Sequence, residues 1–255
     1  MATALVTGAS AGLGEEFAWQ LATGGHDLVV TARSRDRLSE LSDVIASATG
    51  VAVEVLPADL ATEAGRNAVA ARLADAAAPV SLLVNNAGFG LGKDFTQTTW
   101  DEERGLLDVL VTAPLHLTHA ALPGMIERGH GAVLNVSSVA AHLSNSTYAA
   151  HKRWVVEFTE ALAGQLKGTG VTATAVLPGL TRTEFHDRAE LHWERDRYSD
   201  IAWLSAEEVV ASALAAVRRG AVTVTPSVRY AAASALARLA PASATRRLRS
   251  LRAPE

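Results

Sequence analysis

The sequence contains 255 residues, 49% of them hydrophobic, and carries a formal net charge of -4. A chain of this length can bury one sizeable core, so we expect a single domain over residues 1–255. Nucleic-acid-binding proteins need a basic surface, and this mildly acidic balance gives no reason to expect such a partner. Because the sequence contains no cysteine, it excludes disulfides, thiolate catalysis and Cys-based metal sites.

The two ends of the sequence give further expectations. The N-terminus has neither the basic segment nor the cleavage site of an export signal, and no apolar run approaches the roughly 20 residues of a membrane-spanning helix. We therefore expect a cytoplasmic protein. Residues 240–255 include Arg246, Arg247, Arg249 and Arg252. This basic C-terminal tail is either a solvated amphipathic segment or a surface for an anionic partner.

Short runs of β-branched residues alternate with longer Ala- and Leu-rich segments along the chain. This alternation predicts strand–helix–strand units that build a parallel sheet. The predicted strands, in chain order, span residues 3–7, 27–32, 51–56, 81–84, 132–137, 171–177 and 221–225. Several are apolar at nearly every position, which is typical of strands covered by helices on both faces. The sequence therefore predicts an α/β fold with a doubly wound, Rossmann-type parallel sheet of about seven strands.

A glycine-rich turn follows the first predicted strand. From Thr7 to Gly14 the sequence reads TGASAGLG, and an amphipathic helical pattern begins there. Glycines let the backbone approach a pyrophosphate, and the free N–H groups at the positive end of a helix attract its charge. The alternative is that the glycines only serve a tight strand-to-helix turn. The position at the end of the first strand favours a dinucleotide site.

The second predicted strand is followed by a basic residue, Arg33, where dinucleotide folds often place an acid for the adenosine ribose. Arg33 can form charge-assisted bonds with a 2'-phosphate, which favours NADP(H) over NAD(H). The alternative is that Arg33 and Arg35 are surface charges in the first turn of the next helix. The location at a strand end favours the phosphate role.

A possible reactive group lies later in the chain. Tyr148 and Lys152 are four residues apart at the start of a helical pattern, so their side chains project from one face. A nearby ammonium stabilises a phenolate and makes tyrosine a better proton shuttle at neutral pH. Ser138 follows the fifth predicted strand, where its hydroxyl could bond a substrate oxygen. These three side chains suit proton transfer to a carbonyl that receives a hydride.

Together these motifs resemble the short-chain dehydrogenase/reductase family, and the resemblance runs from Thr3 to about Val224. Three further motifs carry it, in the right order and at strand ends: Asp59-Leu60, Asn85-Asn86-Ala87-Gly88, and Pro178-Gly179-Leu180-Thr181-Arg182-Thr183.

The resemblance implies a role for each of these positions. It implies catalysis by Ser138, Tyr148 and Lys152, with tyrosine as acid/base and lysine also holding the nicotinamide ribose. The implied cofactor-binding residues are Gly8, Ser10, Gly12, Leu13, Gly14, Arg33, Asp59, Leu60, Asn85, Ala87, Tyr148, Lys152, Pro178, Gly179, Thr181 and Thr183. Among them, Asp59 and Leu60 would border the adenine, Asn85 and Ala87 would support the central strand end and adenosine ribose, and residues 178–183 would cap the nicotinamide.

Two positions depart from the family pattern. Family members usually have an asparagine where this chain has Leu110, and leucine cannot hydrogen-bond the water that would link the lysine to solvent. The interval from Ser138 to Tyr148 is also a few residues shorter than the commonest pattern, which would widen the substrate pocket or displace Ser138. Neither departure removes Tyr148 or Lys152.

The resemblance and the irregular segments suggest how substrate and subunits are bound. Residues 184–203 form the least regular part of the sequence, and we expect them to cover the substrate. Family resemblance implies a homodimer or homotetramer packed through the helices around residues 106–125 and 155–166, although their apolar residues could equally form intrachain core. No spacing of histidines or acids predicts a metal site, and the proposed reaction needs no metal.

The sequence thus predicts an NADP(H)-dependent oxidoreductase. It would transfer a hydride between the nicotinamide and a carbonyl or alcohol carbon of a small, apolar substrate. One alternative is a non-catalytic NADP(H)-binding sensor or assembly protein on the same fold. Leu110 and the shortened interval from Ser138 to Tyr148 suggest it. A third is an epimerase that uses the cofactor transiently.

Overall fold

All seven predicted strands are present in the structure. The computed structural model describes residues 2–143, 146–184 and 200–232. The strands are β1 (Thr3–Thr7), β2 (Asp27–Thr31), β3 (Val53–Val55), β4 (Val80–Asn85), β5 (Gly131–Val136), β6 (Val171–Val176) and β7 (Thr223–Val224). Each matches a predicted strand, but β3 and β7 are shorter than the sequence pattern suggested. The predicted basic tail, and residues 185–199 of the predicted substrate-covering segment, lie outside the described residues.

Helices connect the strands. They are α1 (Gly12–Thr23), α2 (Arg35–Thr49), α3 (Glu63–Leu73), α4 (Trp100–Leu107), α5 (Ala113–Arg128), α6 (Thr147–Gln165) and α7 (Ala206–Arg218). A π-helical turn, Asp108–Thr112, joins α4 to α5. Side-chain caps define several helix starts: the hydroxyl of Ser34 accepts from Arg37 N, and that of Ser146 accepts from Ala149 N.

The strands form one parallel sheet in the order β3-β2-β1-β4-β5-β6-β7. The chain starts at the centre, builds outward to β3, and then crosses back to place β4 beside β1. At this reversal the connections leave the sheet in opposite directions, which opens a crevice at the carboxyl ends of β1 and β4. The topology confirms the predicted Rossmann-type fold and locates the crevice at the glycine-rich turn.

Each face of the sheet has its own hydrophobic core. Successive strand residues point to opposite faces, so Leu5 and Val29 pack with helices α3, α5 and α6, whereas Val6 and Val30 pack with α1, α2 and α7. All four are completely buried. Burial on both sides explains why the strands are almost continuously apolar.

The segment from Trp100 to Arg128 is one continuous helix of 29 residues with a mean hydropathy of 1.3 in its most apolar stretch. By length and composition alone it could cross a membrane, although the sequence predicted no apolar run of that length. Its residues Leu106, Leu110, Leu117 and Met125 are nevertheless fully buried inside the protein. These residues form the core-facing side of the helix, whereas Trp100, Leu107 and Leu115 on the same helix are exposed.

Candidate active site

The glycine-rich turn after β1 is shaped for close backbone approach. Gly8 has φ +67°, and a Cβ at this position would lie 2.9 Å from the Cα of Ala87. A Cβ at Gly14 would lie only 2.1 Å from the carbonyl oxygen of Gly8. The residue before helix α1 is Ala11, which provides no side-chain cap, so the first N–H groups of the helix are left for a ligand. This cradle fits a dinucleotide pyrophosphate.

The segment after β4 holds this turn in position. The hydroxyl of Thr7 accepts hydrogen bonds from the backbone N–H groups of Asn86 (2.9 Å) and Ala87 (3.0 Å). The Asn86 side chain donates to the carbonyl of Thr7 at 2.9 Å. Asn86 lies within a family motif, but no role was predicted for it from the sequence. The only available signal was its place after the strand that neighbours β1.

A buried polar network supports the central strand ends. The side-chain amide of Asn85 donates to Thr118 Oγ1 (3.2 Å) and to Asn135 Oδ1 (2.9 Å). Asn135 in turn donates to Thr159 Oγ1 at 2.9 Å. The network therefore joins β4 and β5 to helices α5 and α6. The Asn85 side chain faces this interior network, so its contribution to the site is to fix the strand end rather than to reach into the crevice.

The residues expected near the adenosine lie beside the ends of β2 and β3. Arg33 is exposed just after β2, and no ion pair occupies its guanidinium among the described residues. The carboxylate of Asp59 accepts from Ala61 N at 3.0 Å, which forms a local turn. Leu60 is buried, and its carbonyl accepts a hydrogen bond from Arg66 at 2.9 Å.

Tyr148 and Lys152 lie on the first turns of helix α6. The Lys152 ammonium lies 5.7 Å from the centre of the Tyr148 ring. Lys152 is only 5% exposed, and its Nζ donates to the carbonyl of Val136 at 2.7 Å. Burial lowers the pKa of Lys152 from 10.5 to about 8. An ammonium has three donors, so it can bond ribose hydroxyls in addition to this carbonyl.

Ser138 follows β5, and hydrogen bonds of its two neighbours connect this strand end to the loop after β6 and to helix α6. Its Oγ accepts from Ala140 N at 3.1 Å, which leaves the hydroxyl proton for another acceptor. The next residue, Val139, donates its N–H to Pro178 O at 2.9 Å. The preceding hydroxyl, that of Ser137, donates to the carbonyl of Lys152 at 2.7 Å. Ser137 was not predicted as a site residue, yet its hydrogen bond joins the end of β5 to helix α6.

Leu110 belongs to the π-helical turn and is 1% exposed. A Cβ added to Gly88 would meet Leu110 Cδ2 at 3.0 Å and Lys152 Nζ at 3.6 Å. The leucine therefore forms an apolar wall close to the ammonium. Loss of water contact in such surroundings is consistent with the lowered pKa of Lys152.

The loop after β6 closes the other side of the crevice. Pro178 is buried, and the hydroxyl of Thr181 donates to Gly179 O at 3.0 Å. A Cβ on Gly12 would lie 3.2 Å from the Cβ of Thr183, so this loop reaches the glycine-rich turn. The structure thus brings residues after β1, β4, β5 and β6 to one edge of the sheet. Over residues 2–143, 146–184 and 200–232, no group of three or more His, Asp or Glu residues could hold a metal ion.

Comparisons with known proteins agree with this geometry. The family model described as short chain dehydrogenase matches residues 2–193. Ketoacyl reductase HetN of Nostoc is 33% identical over 180 residues, which cover 69% of this chain and 62% of that protein. The NADP-dependent 3-hydroxy acid dehydrogenase YdfG of Escherichia coli K12 is 34% identical over 186 residues, 71% of this chain and 73% of that protein.

A solved structure is similar over the whole length. A short-chain dehydrogenase from Sphingobium yanoikuyae in complex with NADPH superimposes with a TM-score of 0.86 at 33% identity, covering 100% of this chain and 97% of that chain. Family model, relatives and fold therefore agree, and this chain belongs to the short-chain dehydrogenase/reductase family of oxidoreductases.

Proposed function

We propose that this protein is an NADP(H)-dependent oxidoreductase that interconverts a carbonyl and an alcohol carbon. The observation that carries the proposal is the buried ammonium of Lys152, 5.7 Å from the Tyr148 ring, on the helix that adjoins the cofactor crevice. Burying an ammonium costs free energy, so a protein retains one where the charge has a function. Stabilising a phenolate on the neighbouring helical turn is such a function.

The residues of the crevice fit the cofactor. The pyrophosphate would lie against the N-terminus of α1, beside Gly8 and Gly12, whose positive φ angles and close contacts with Ala87 and Thr183 require glycine in this turn. Arg33, exposed and without an ion-pair partner among the described residues, would bind a 2'-phosphate, which favours NADP(H) over NAD(H). The NADPH found with the Sphingobium protein supports this preference. When bound, the nicotinamide supplies or accepts the hydride.

The side chains of this chain then handle the substrate oxygen. In the direction of reduction, Tyr148 and Ser138 donate hydrogen bonds to the carbonyl oxygen and polarise its carbon. Tyr148 transfers its proton to that oxygen as the alcohol forms. Lys152 stays protonated below a pH of about 8 and lowers the cost of the phenolate that remains. In the direction of oxidation the same phenolate takes the proton back.

Three finer features belong to the same proposal. We infer a small, apolar substrate, in keeping with the apolar wall formed by Leu110 near the ammonium. We also infer a homodimer or homotetramer, because the long helix exposes three large apolar side chains, Trp100, Leu107 and Leu115, which are 73%, 41% and 46% exposed and which a second subunit would cover. A cytoplasmic location remains a prediction from the sequence.

The experiment is to measure NADPH consumption with a panel of aldehydes, ketones and quinones, alongside NADPH binding by fluorescence. We expect turnover with at least one carbonyl class. The variant Tyr148→Phe should still bind NADPH and should lose about 100-fold or more in turnover, since it lacks the proton donor.

The second candidate is the non-catalytic NADP(H)-binding protein, which the substitution of the usual asparagine by Leu110 favours. Tight NADPH binding without turnover on any member of the panel would support it and contradict the oxidoreductase. An epimerase would instead convert its substrate without net consumption of NADPH.

A further inference from the structure

Tyr230 lies far along the chain from the predicted site residues, in the helical turn after β7, but its side chain packs on the loop that follows β6. A Cβ added to Gly179 would lie 2.3 Å from Cε2 and Cζ of the Tyr230 ring. The ring therefore lies directly against the Gly179 backbone. The φ of Gly179 is not in the left-handed region, so it is the ring rather than the backbone that requires glycine here.

The Tyr230 hydroxyl connects two separate backbone segments. It accepts a hydrogen bond from Leu180 N at 3.2 Å and donates one to Ala202 O at 2.9 Å. Leu180 belongs to the loop after β6, whereas Ala202 belongs to the turn before α7. One phenol thus satisfies a donor and an acceptor from segments more than twenty positions apart in sequence.

The same two segments also pair with each other. Leu204 N donates to Leu180 O, and Arg182 N donates to Leu204 O, both at 2.9 Å. Arg182 forms an ion pair with Asp200 at 2.6 Å, but both side chains are largely exposed, so this pair stabilises the arrangement little. Both hydrogen bonds of the Tyr230 hydroxyl are partly buried. Removal of this hydroxyl would leave Leu180 N without this acceptor and Ala202 O without this donor.

The loop that Tyr230 holds contacts two parts of the proposed active site. At its start, Pro178 O accepts the N–H of Val139, the neighbour of Ser138. At its end, Thr183 lies against Gly12 of the phosphate-binding turn. A shift of this loop would therefore change the space left for the cofactor between the glycine-rich turn and the end of β5 beside Ser138.

We propose that Tyr230 is a positioning residue for cofactor binding: its ring against Gly179 and its hydroxyl between Leu180 and Ala202 hold the 178–183 loop at the spacing that NADPH requires. The proposal rests on the function proposed above. It assigns to the C-terminal part of the chain a share in the affinity for NADPH, with no direct part in proton transfer.

The test is Tyr230→Phe in the full-length protein, which keeps the ring and removes the hydroxyl. We expect the Kd for NADPH, measured by fluorescence in the absence of substrate, to rise about fivefold to tenfold, the effect of losing one or two partly buried hydrogen bonds. We expect kcat at saturating NADPH, and its pH profile, to stay within about twofold, because the hydroxyl does not touch the reacting atoms.

The matched control is Thr174→Val, which also removes one hydroxyl, from the strand β6 that precedes the 178–183 loop. Thr174 is completely buried in β6, and its Oγ1 donates to Ala221 O at 2.7 Å, away from the 178–183 loop. It should lower the melting temperature and leave the Kd for NADPH unchanged. If Tyr230→Phe leaves the Kd unchanged, or if both variants raise it equally, Tyr230 is merely structural and the proposal is overturned.

A second variant tests the contact between the Tyr230 ring and Gly179. Gly179→Ala places a methyl group against the ring and should displace it, again raising the Kd for NADPH. Adding Tyr230→Phe to Gly179→Ala should then cause little further loss, because the hydroxyl is already displaced. Additive losses would contradict a shared action through the loop.

The outcome is distinguishable from failure of the proposed function. Tyr148→Phe tests that function through turnover with cofactor binding retained, whereas Tyr230→Phe tests the positioning through cofactor binding with turnover retained.

Discussion

Replacing Lys152 by methionine removes the buried ammonium while keeping a side chain of similar length. Burial holds the pKa of Lys152 at about 8, against an ordinary value of 10.5. This depression corresponds to about 3 kcal/mol by which the folded state is penalised while the lysine is charged. The carbonyl of Val136 would lose its donor, at a cost of about 1 kcal/mol. We therefore expect the variant to be about 2 kcal/mol more stable than the wild type at pH 7.

The sign of the pH dependence follows from the lowered pKa. Below pH 8 the lysine is protonated in both the folded and the unfolded state, so the penalty is fully present. Between pH 8 and 10.5 the folded state releases its proton first, and the penalty disappears. The stability advantage of the methionine variant should therefore narrow as the pH rises from 7 to 10.

The assay is urea unfolding of both proteins at pH 7 and pH 10, together with steady-state kinetics. We expect turnover of Lys152→Met to fall about 100-fold or more, since the phenolate of Tyr148 loses its stabilising charge. Greater stability with lost activity is the behaviour of a charge kept for function. A variant that is less stable than the wild type at pH 7, or a stability difference that is equal at both pH values, would refute this reasoning.

Three further substitutions test separate parts of the site. Leu110→Asn should leave turnover similar or higher and reduce the free energy of unfolding by about 1–3 kcal/mol, because an amide enters a buried apolar position; a large loss of turnover would mean that the leucine wall itself supports catalysis. Arg33→Asp should raise the KM for NADPH about tenfold or more with little change for NADH, and an unchanged preference would remove the 2'-phosphate role. Gly14→Ala should abolish NADPH binding, because its Cβ would lie 2.1 Å from Gly8 O and would distort the glycine-rich turn. An unchanged NADPH affinity in a fluorescence titration would contradict the pyrophosphate site proposed at this turn.

Local patterns were sufficient to predict the architecture. The continuous apolar runs around Leu5, Val29 and Leu83 predicted strands buried on both faces, and the structure confirms it. The strand ends were less predictable, since β3 pairs with β2 only from Val53 to Val55 and β7 pairs with β6 only at Thr223 and Val224, although the predicted strands are longer. The carboxyl ends of neighbouring parallel strands necessarily meet at one edge, so residues placed after them could be expected to converge.

The supporting contacts of the site could not be predicted in this way. The bond from Ser137 to the Lys152 carbonyl and the network from Asn85 to Thr159 depend on how helices dock on the sheet. Tyr230 carries no motif at all, and its contact with Gly179 arises only when the chain returns past β7. The role of a polar side chain at such a position depends on hydrogen-bond partners that are distant in sequence.

The most direct measurement is a crystal structure of the protein with NADPH and a carbonyl substrate or inhibitor. The account predicts that the Tyr148 hydroxyl faces the nicotinamide within hydrogen-bonding distance of the carbonyl oxygen, with Lys152 Nζ on the nicotinamide ribose and the pyrophosphate at the N-terminus of α1. A Tyr148 hydroxyl that faces away from the nicotinamide ring, with no space there for a carbonyl group, would contradict it.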